Sequence, residues 1–145
     1  MKSNALVYIT TIHKTEDGHF PIEIKTFGIY KKINDYHYID YEYADEESDS
    51  RIKTLIKATG TRVEVNTSGD SKYRMVFDKK EEHISRADIG NLQTSIKQVT
   101  KKVSLEETND GIILFIDYEL FRGKELMTAC EMVIKTEYTE DKTNR

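Results

Sequence analysis

The sequence predicts an all-β domain of antiparallel strands closed into a small barrel, and three observations carry that prediction. Residue choice is the first: sixteen Ile, seven Val and fifteen Thr stand against seven Leu and five Ala. β-Branched side chains are stiff at χ1 and pack well on a pleated surface, whereas helices favour Leu and Ala. The second is alternation of period two in segment after segment, with no long apolar stripe at helical spacing. The third is punctuation. Glu16-Asp17-Gly18, Asn34-Asp35, Thr59-Gly60, Ser68-Gly69-Asp70, Asn109-Asp110-Gly111 and Gly123 are turn signals at short intervals.

Strands are expected near 4–14, 22–33, 36–44, 51–58, 61–67, 72–78, 82–87, 91–105, 111–121 and 125–137. Pro21 is expected just ahead of the second, where its missing N–H costs no ladder bond. Ile52, Thr54, Ile56 and Ala58 share one face of the fourth, Val63 and Val65 one face of the fifth, and Tyr73, Met75 and Phe77 one face of the sixth. Ile112, Leu114, Ile116, Tyr118 and Leu120 line one side of the ninth, with Asp117 and Glu119 opposite. Across the Arg122-Gly123-Lys124 hairpin, Leu126, Thr128, Cys130, Met132 and Ile134 form the matching stripe. Short turns between long strands make a meander, and about ten strands curl until their edges meet. One domain is expected over residues 1–145, with a charged loop at Ala44–Ser50 and a flexible tail at about 139–145.

Composition narrows the function classes. A net charge of −4 and a pI near 5.6 leave no basic surface for a phosphate backbone, so no nucleic-acid partner is expected. Lys31-Lys32, Lys79-Lys80 and Lys101-Lys102 read as solvated lysines that guard strand edges. The longest uncharged apolar run, Ile112 to Ile116, is far short of the roughly 20 residues of a membrane helix. The opening MKSNALVYITTIH lacks the apolar stretch of a secretory signal. With Cys130 as the sole cysteine, no disulfide within the chain is available, and a cytoplasmic location is expected.

Thr26-Phe27-Gly28-Ile29-Tyr30, Lys53-Thr54-Leu55-Ile56-Lys57, Ser68-Gly69 before the Lys72–Phe77 strand, Gly90, and Ile116-Asp117-Tyr118-Glu119-Leu120 follow in an order that resembles the YwiB-like family. The resemblance covers most of the chain and implies a calycin (lipocalin-like) barrel of unknown function, with no reaction attached. Two places depart from the family pattern. Ser85-Arg86-Ala87-Asp88-Ile89-Gly90 keeps only the glycine of a polar and aromatic cluster, and Thr67 stands where an arginine often precedes Ser-Gly. A ligand site built on those family residues is altered or lost here.

Catalytic and metal-binding patterns are not found. His13, His19, His37 and His83 are scattered without close-spaced partners and are expected at exposed turns or strand ends. No phosphate loop, nucleophile elbow or deaminase motif occurs, so neither an enzyme nor a cofactor is expected. The Tyr36, Tyr38, Tyr41 and Tyr43 cluster sits beside Asp40, Glu42, Asp45, Glu46 and Glu47, which suits cross-strand packing or a protein contact better than base stacking. Polar residues on apolar faces remain: Thr54, Tyr73, Thr94, Gln98 and Tyr118. In a barrel interior they either bond one another and buried water or orient a small ligand. With Met75, Phe77, Leu114 and Ile116 as apolar walls they form the candidate ligand site. The expected partner is a small amphipathic molecule; the alternative is a packed barrel that acts through its surface or self-associates.

Overall fold

The computed structural model describes residues 3–45, 50–69, 72–89 and 92–139. They form one sheet of ten antiparallel strands: β1 (Ala5–Thr15), β2 (Gly18–Ile33), β3 (Tyr36–Asp45), β4 (Ser50–Ala58), β5 (Arg62–Gly69), β6 (Tyr73–Asp78), β7 (His83–Ile89), β8 (Leu92–Glu107), β9 (Ile112–Arg122) and β10 (Glu125–Tyr138). Every expected strand is present, and the expected faces hold except at Leu126: a bulge between Leu126 and Thr128 sets it opposite Phe121, off the Thr128–Ile134 stripe and exposed. The charged loop and the tail lie largely outside the described residues, as does Gly90.

Strand order is β6-β5-β4-β3-β2-β1-β10-β9-β8-β7, so the first strand pairs with the last and the sheet curls into a nearly closed barrel. Its open seam falls between β6 and β7, which also brings β6 against β8. Gln98 on β8 is 1% exposed, and its Oε1 accepts the Val76 N–H of β6 at 3.3 Å. One side chain thus stands in for a ladder bond across the seam.

Inward stripes fill most of the barrel. Ile39, Ile56, Phe77, Ile112, Leu114, Ile116 and Ile134 are each at most 1% exposed and form one cluster with Val7, Val63 and Tyr118. The opposite face carries the charges, including the pairs Lys14–Glu131, Arg62–Asp78 and Lys101–Glu119. Asp117 and Glu119 lie on it, as the alternation requires.

Two expectations need correction. Pro21 lies inside β2, opposite Ile12 of β1. Tyr30 turns both of its backbone groups to the Asn4 side chain beside β1. Alternation then turns the Pro21 nitrogen to the other edge, where β3 pairs only from Gly28 to Ile33, so no ladder bond is lost there. His37, expected at an exposed position, is 2% exposed. It faces inward beside Ile39 near the closed end, and the Tyr30 hydroxyl and the Glu107 carboxylate satisfy its ring at 2.7 and 3.4 Å.

Candidate ligand cavity

Gly28 sets the geometry of the site. A Cβ there would lie 2.6 Å from the Asp40 carbonyl oxygen and 3.1 Å from Val7, so only glycine lets β2 and β3 meet this closely. Beyond that contact, residues 18–27 of β2 stay with β1 and leave the β3 ladder. The gap opens one end of the barrel. Phe20 and Ile22, on the inward side of β2, are 50% and 52% exposed as a result.

A partly open cavity of about 180 Å³ sits below this gap, bounded by β1, β2, β3, β4, β5, β6 and β10. Its apolar wall includes Ile9, Ile24, Ile52, Ile56, Val65, Ile134, Met75 and Met132. Its polar groups are all hydroxyls: Thr11, Tyr41, Tyr43, Thr54, Thr67 and Tyr73. The register lays Tyr41, Thr54, Thr67 and Tyr73 side by side across four strands. The Thr54 hydroxyl bonds to Tyr41, and burial, the larger effect, pushes the Tyr41 phenol up.

A second polar row crosses the neighbouring wall at Thr100, Tyr118, Cys130 and His13. Tyr118 packs its ring against Phe77, with centroids 4.6 Å apart, and bonds the Cys130 sulfur. Burial first, and then the Cys130 and Tyr73 groups, push the Tyr118 phenol far up. Burial likewise raises the Cys130 thiol, which lies 3.4 Å from His13 Nδ1. Tyr73 is close enough to both Tyr41 and Tyr118 to disfavour their ionisation, so it links the two rows. Burial thus holds Tyr41, Tyr118 and Cys130 protonated, suited to hydrogen bonding rather than to attack on a substrate.

The structure divides the residues read from sequence. Thr54, Met75 and Tyr73 line the cavity, Tyr73 at the rim with 41% exposure. Phe77, Leu114 and Ile116 belong to the filled core beneath it, and Tyr118 stands at the boundary. Gln98 is committed to the seam. Thr94 is described in its backbone alone, opposite Ala87. Thr11, Thr67, Tyr41 and Met132 were missed, although a signal for them existed. Six inward stripes turn from apolar to hydroxyl at the same end: Val7-Ile9-Thr11, Ile39-Tyr41, Ile56-Thr54, Val65-Thr67, Phe77-Met75-Tyr73 and Ile116-Tyr118.

A nearly closed antiparallel barrel of ten strands with one open, hydroxyl-lined end is a calycin-like architecture. The chain belongs to the family described as "Domain of unknown function (DUF1934)", whose model matches residues 7–134. Among solved structures it is similar to the ywiB protein from Bacillus subtilis, with a TM-score of 0.81, 19% identity, and coverage of 95% of this chain and 93% of that one. No curated protein matches. The expected family resemblance and barrel therefore hold, and the likeness speaks for the fold alone.

Proposed function

We propose that this chain is a non-enzymatic binding module of the cytoplasm, which takes a small, partly apolar molecule into the open end of its barrel. The observation that carries this reading is the cavity itself, placed where β2 parts from β3 beyond the close contact at Gly28 and lined by an apolar wall with convergent hydroxyls. Protonated Tyr41, Tyr118 and Cys130 support binding over chemistry. No helix among the described residues is long and apolar enough to cross a membrane. Lys14–Glu131 and Lys101–Glu119 on the outer face support a barrel that stands in water, since lipid-facing charge is costly. The test is native mass spectrometry of protein taken from cells, joined to a thermal-shift screen of small amphipathic molecules. A co-purifying mass, or a compound that raises the melting temperature by mass action, is the expected result. A bare chain with an unmoved transition throughout sinks the reading.

A second reading has its own observation. Phe20, Leu126 and Met127 gather around one surface hollow at the tips of the β1–β2 and β9–β10 hairpins, each 37% to 50% exposed. Such a patch suits a protein contact or self-association. Sedimentation across a concentration series distinguishes this from the carrier reading.

A further inference from the structure

Thr11 and Thr67 stand on different walls of the cavity, 8% and 3% exposed, and neither hydroxyl has a hydrogen-bond partner among the described residues. Neither oxygen is sealed in, since Thr100 Oγ1 is the one buried side-chain oxygen without a partner among the described residues. Both stand at the partly open cavity, where an entering ligand group can replace water and make the bond that the protein does not. No charged side chain among the described residues lines the cavity. A charged ligand group would therefore enter without a counter-charge, at a steep desolvation cost. The volume of about 180 Å³ is close to that of an apolar cavity known to admit benzene. Met75 and Met132 offer thioether sulfurs, which favour aromatic rings.

Resting on the carrier reading, we infer that the ligand class is an uncharged aromatic compound of benzene-like size bearing a hydroxyl. Its ring packs between the methionines and the isoleucine wall. Its hydroxyl, at once donor and acceptor, bonds the free Thr67 or Thr11 hydroxyl. A substituent on the far side of the ring extends past Tyr43 and Tyr73 through the gap, so larger molecules that present such an end also fit.

The probes are p-cresol, toluene, 1-hexanol, 4-methylbenzoate and 4-methylbenzylammonium, titrated into the full chain with methyl-labelled methionine and followed by NMR. The Met75 and Met132 methyls should shift, while Met127, at the hairpin tips, serves as an internal control. p-Cresol should bind roughly two- to tenfold tighter than toluene, the equivalent of one hydrogen bond, and tighter than 1-hexanol. The two ions should bind at least about tenfold more weakly than p-cresol. In a Thr11→Val, Thr67→Val double variant, p-cresol should fall to the level of toluene, with toluene unchanged. Thr67→Ser keeps a hydroxyl and should retain the p-cresol preference, which guards against a mere folding defect. If no probe moves Met75 or Met132, the carrier reading itself fails. If toluene, 1-hexanol or either ion matches p-cresol, or the double variant keeps the preference, the cavity stands and the ligand class is overturned.

Discussion

At His37 burial and charge pull in opposite directions. Burial, the larger effect, lowers its pKa, while Glu107, 3.4 Å from Nε2, favours the charged ring. Burial also holds the Tyr30 phenol up at about 12, so its hydroxyl donates to Nδ1 and leaves Nε2–H for Glu107. A histidine with a lowered folded pKa binds fewer protons in the native state than in the unfolded one. Its contribution is intact above the unfolded value of about 6.5 and is lost as pH falls from there through the folded value. Melting temperature should therefore drop between pH 7 and 5, and more steeply than in a His37→Phe variant, whose ring keeps the stack on Tyr30. Parallel curves for the two proteins would remove His37 as the cause. Cys130 makes a similar case at 1% exposure, with its thiol raised chiefly by burial. A thiol-reactive dye should label it slowly in the native state and quickly after denaturation; equal rates would contradict the burial.

Single elements depend on single side chains at two places, the mouth and the seam. An Ala at position 28 needs the 2.6 Å contact with the Asp40 carbonyl to relax, which forces β2 from β3. Gly28→Ala should cost about 1–3 kcal/mol in denaturant unfolding, and an unchanged midpoint would mean the strands have slack. At the seam, Gln98→Leu strands the Val76 N–H, also at about 1–3 kcal/mol, and the Val76 amide should exchange faster. An exchange rate equal to that of the native chain would show that the bond closes nothing. These two elements also mark the limit of what the sequence made legible. Alternation gave the strands and their faces because burial on one face writes itself along each strand with period two. It could not tell that Gln98 faces a strand edge and not a ligand. Nor could it place His37 inward with partners from β2 and β8. Both depend on which strands meet after closure, and Pro21 looked like a boundary only because its free edge is a tertiary fact. The cavity residues were half legible: Thr54, Tyr73 and Met75 from their own stripes, Thr11 and Thr67 only from comparing stripes across the barrel.

On the scale of the whole molecule, the barrel is a circular meander in which the first and last strands pair while the seam lies elsewhere, between β6 and β7. Every paired strand is a neighbour in sequence except β1 and β10, where Ile9 faces Ile134. Near the two ends of the described residues the strands already touch, since the Asn4 carbonyl accepts the Thr139 N–H at 2.9 Å. The turn at Lys79-Lys80, by contrast, links β6 and β7, which share no ladder. Joining Arg145 to Met1, with residues 140–145 and 1–3 as the linker, and opening the chain between Lys79 and Lys80 makes the order β7-β8-β9-β10-β1-β2-β3-β4-β5-β6. All nine ladders then connect consecutive strands. Loop closure for the β1–β10 ladder, which spans most of the native chain, becomes local. Folding rates of small domains rise as contacts become more local. The permutant should keep the native far-ultraviolet circular dichroism and refold several-fold faster in stopped-flow experiments. A second permutant opened at Gly123-Lys124, which unlinks the paired strands β9 and β10, is the control and should refold more slowly than the seam permutant. Should the seam permutant refold no faster than the native chain, closure of β1 on β10 is not the slow step.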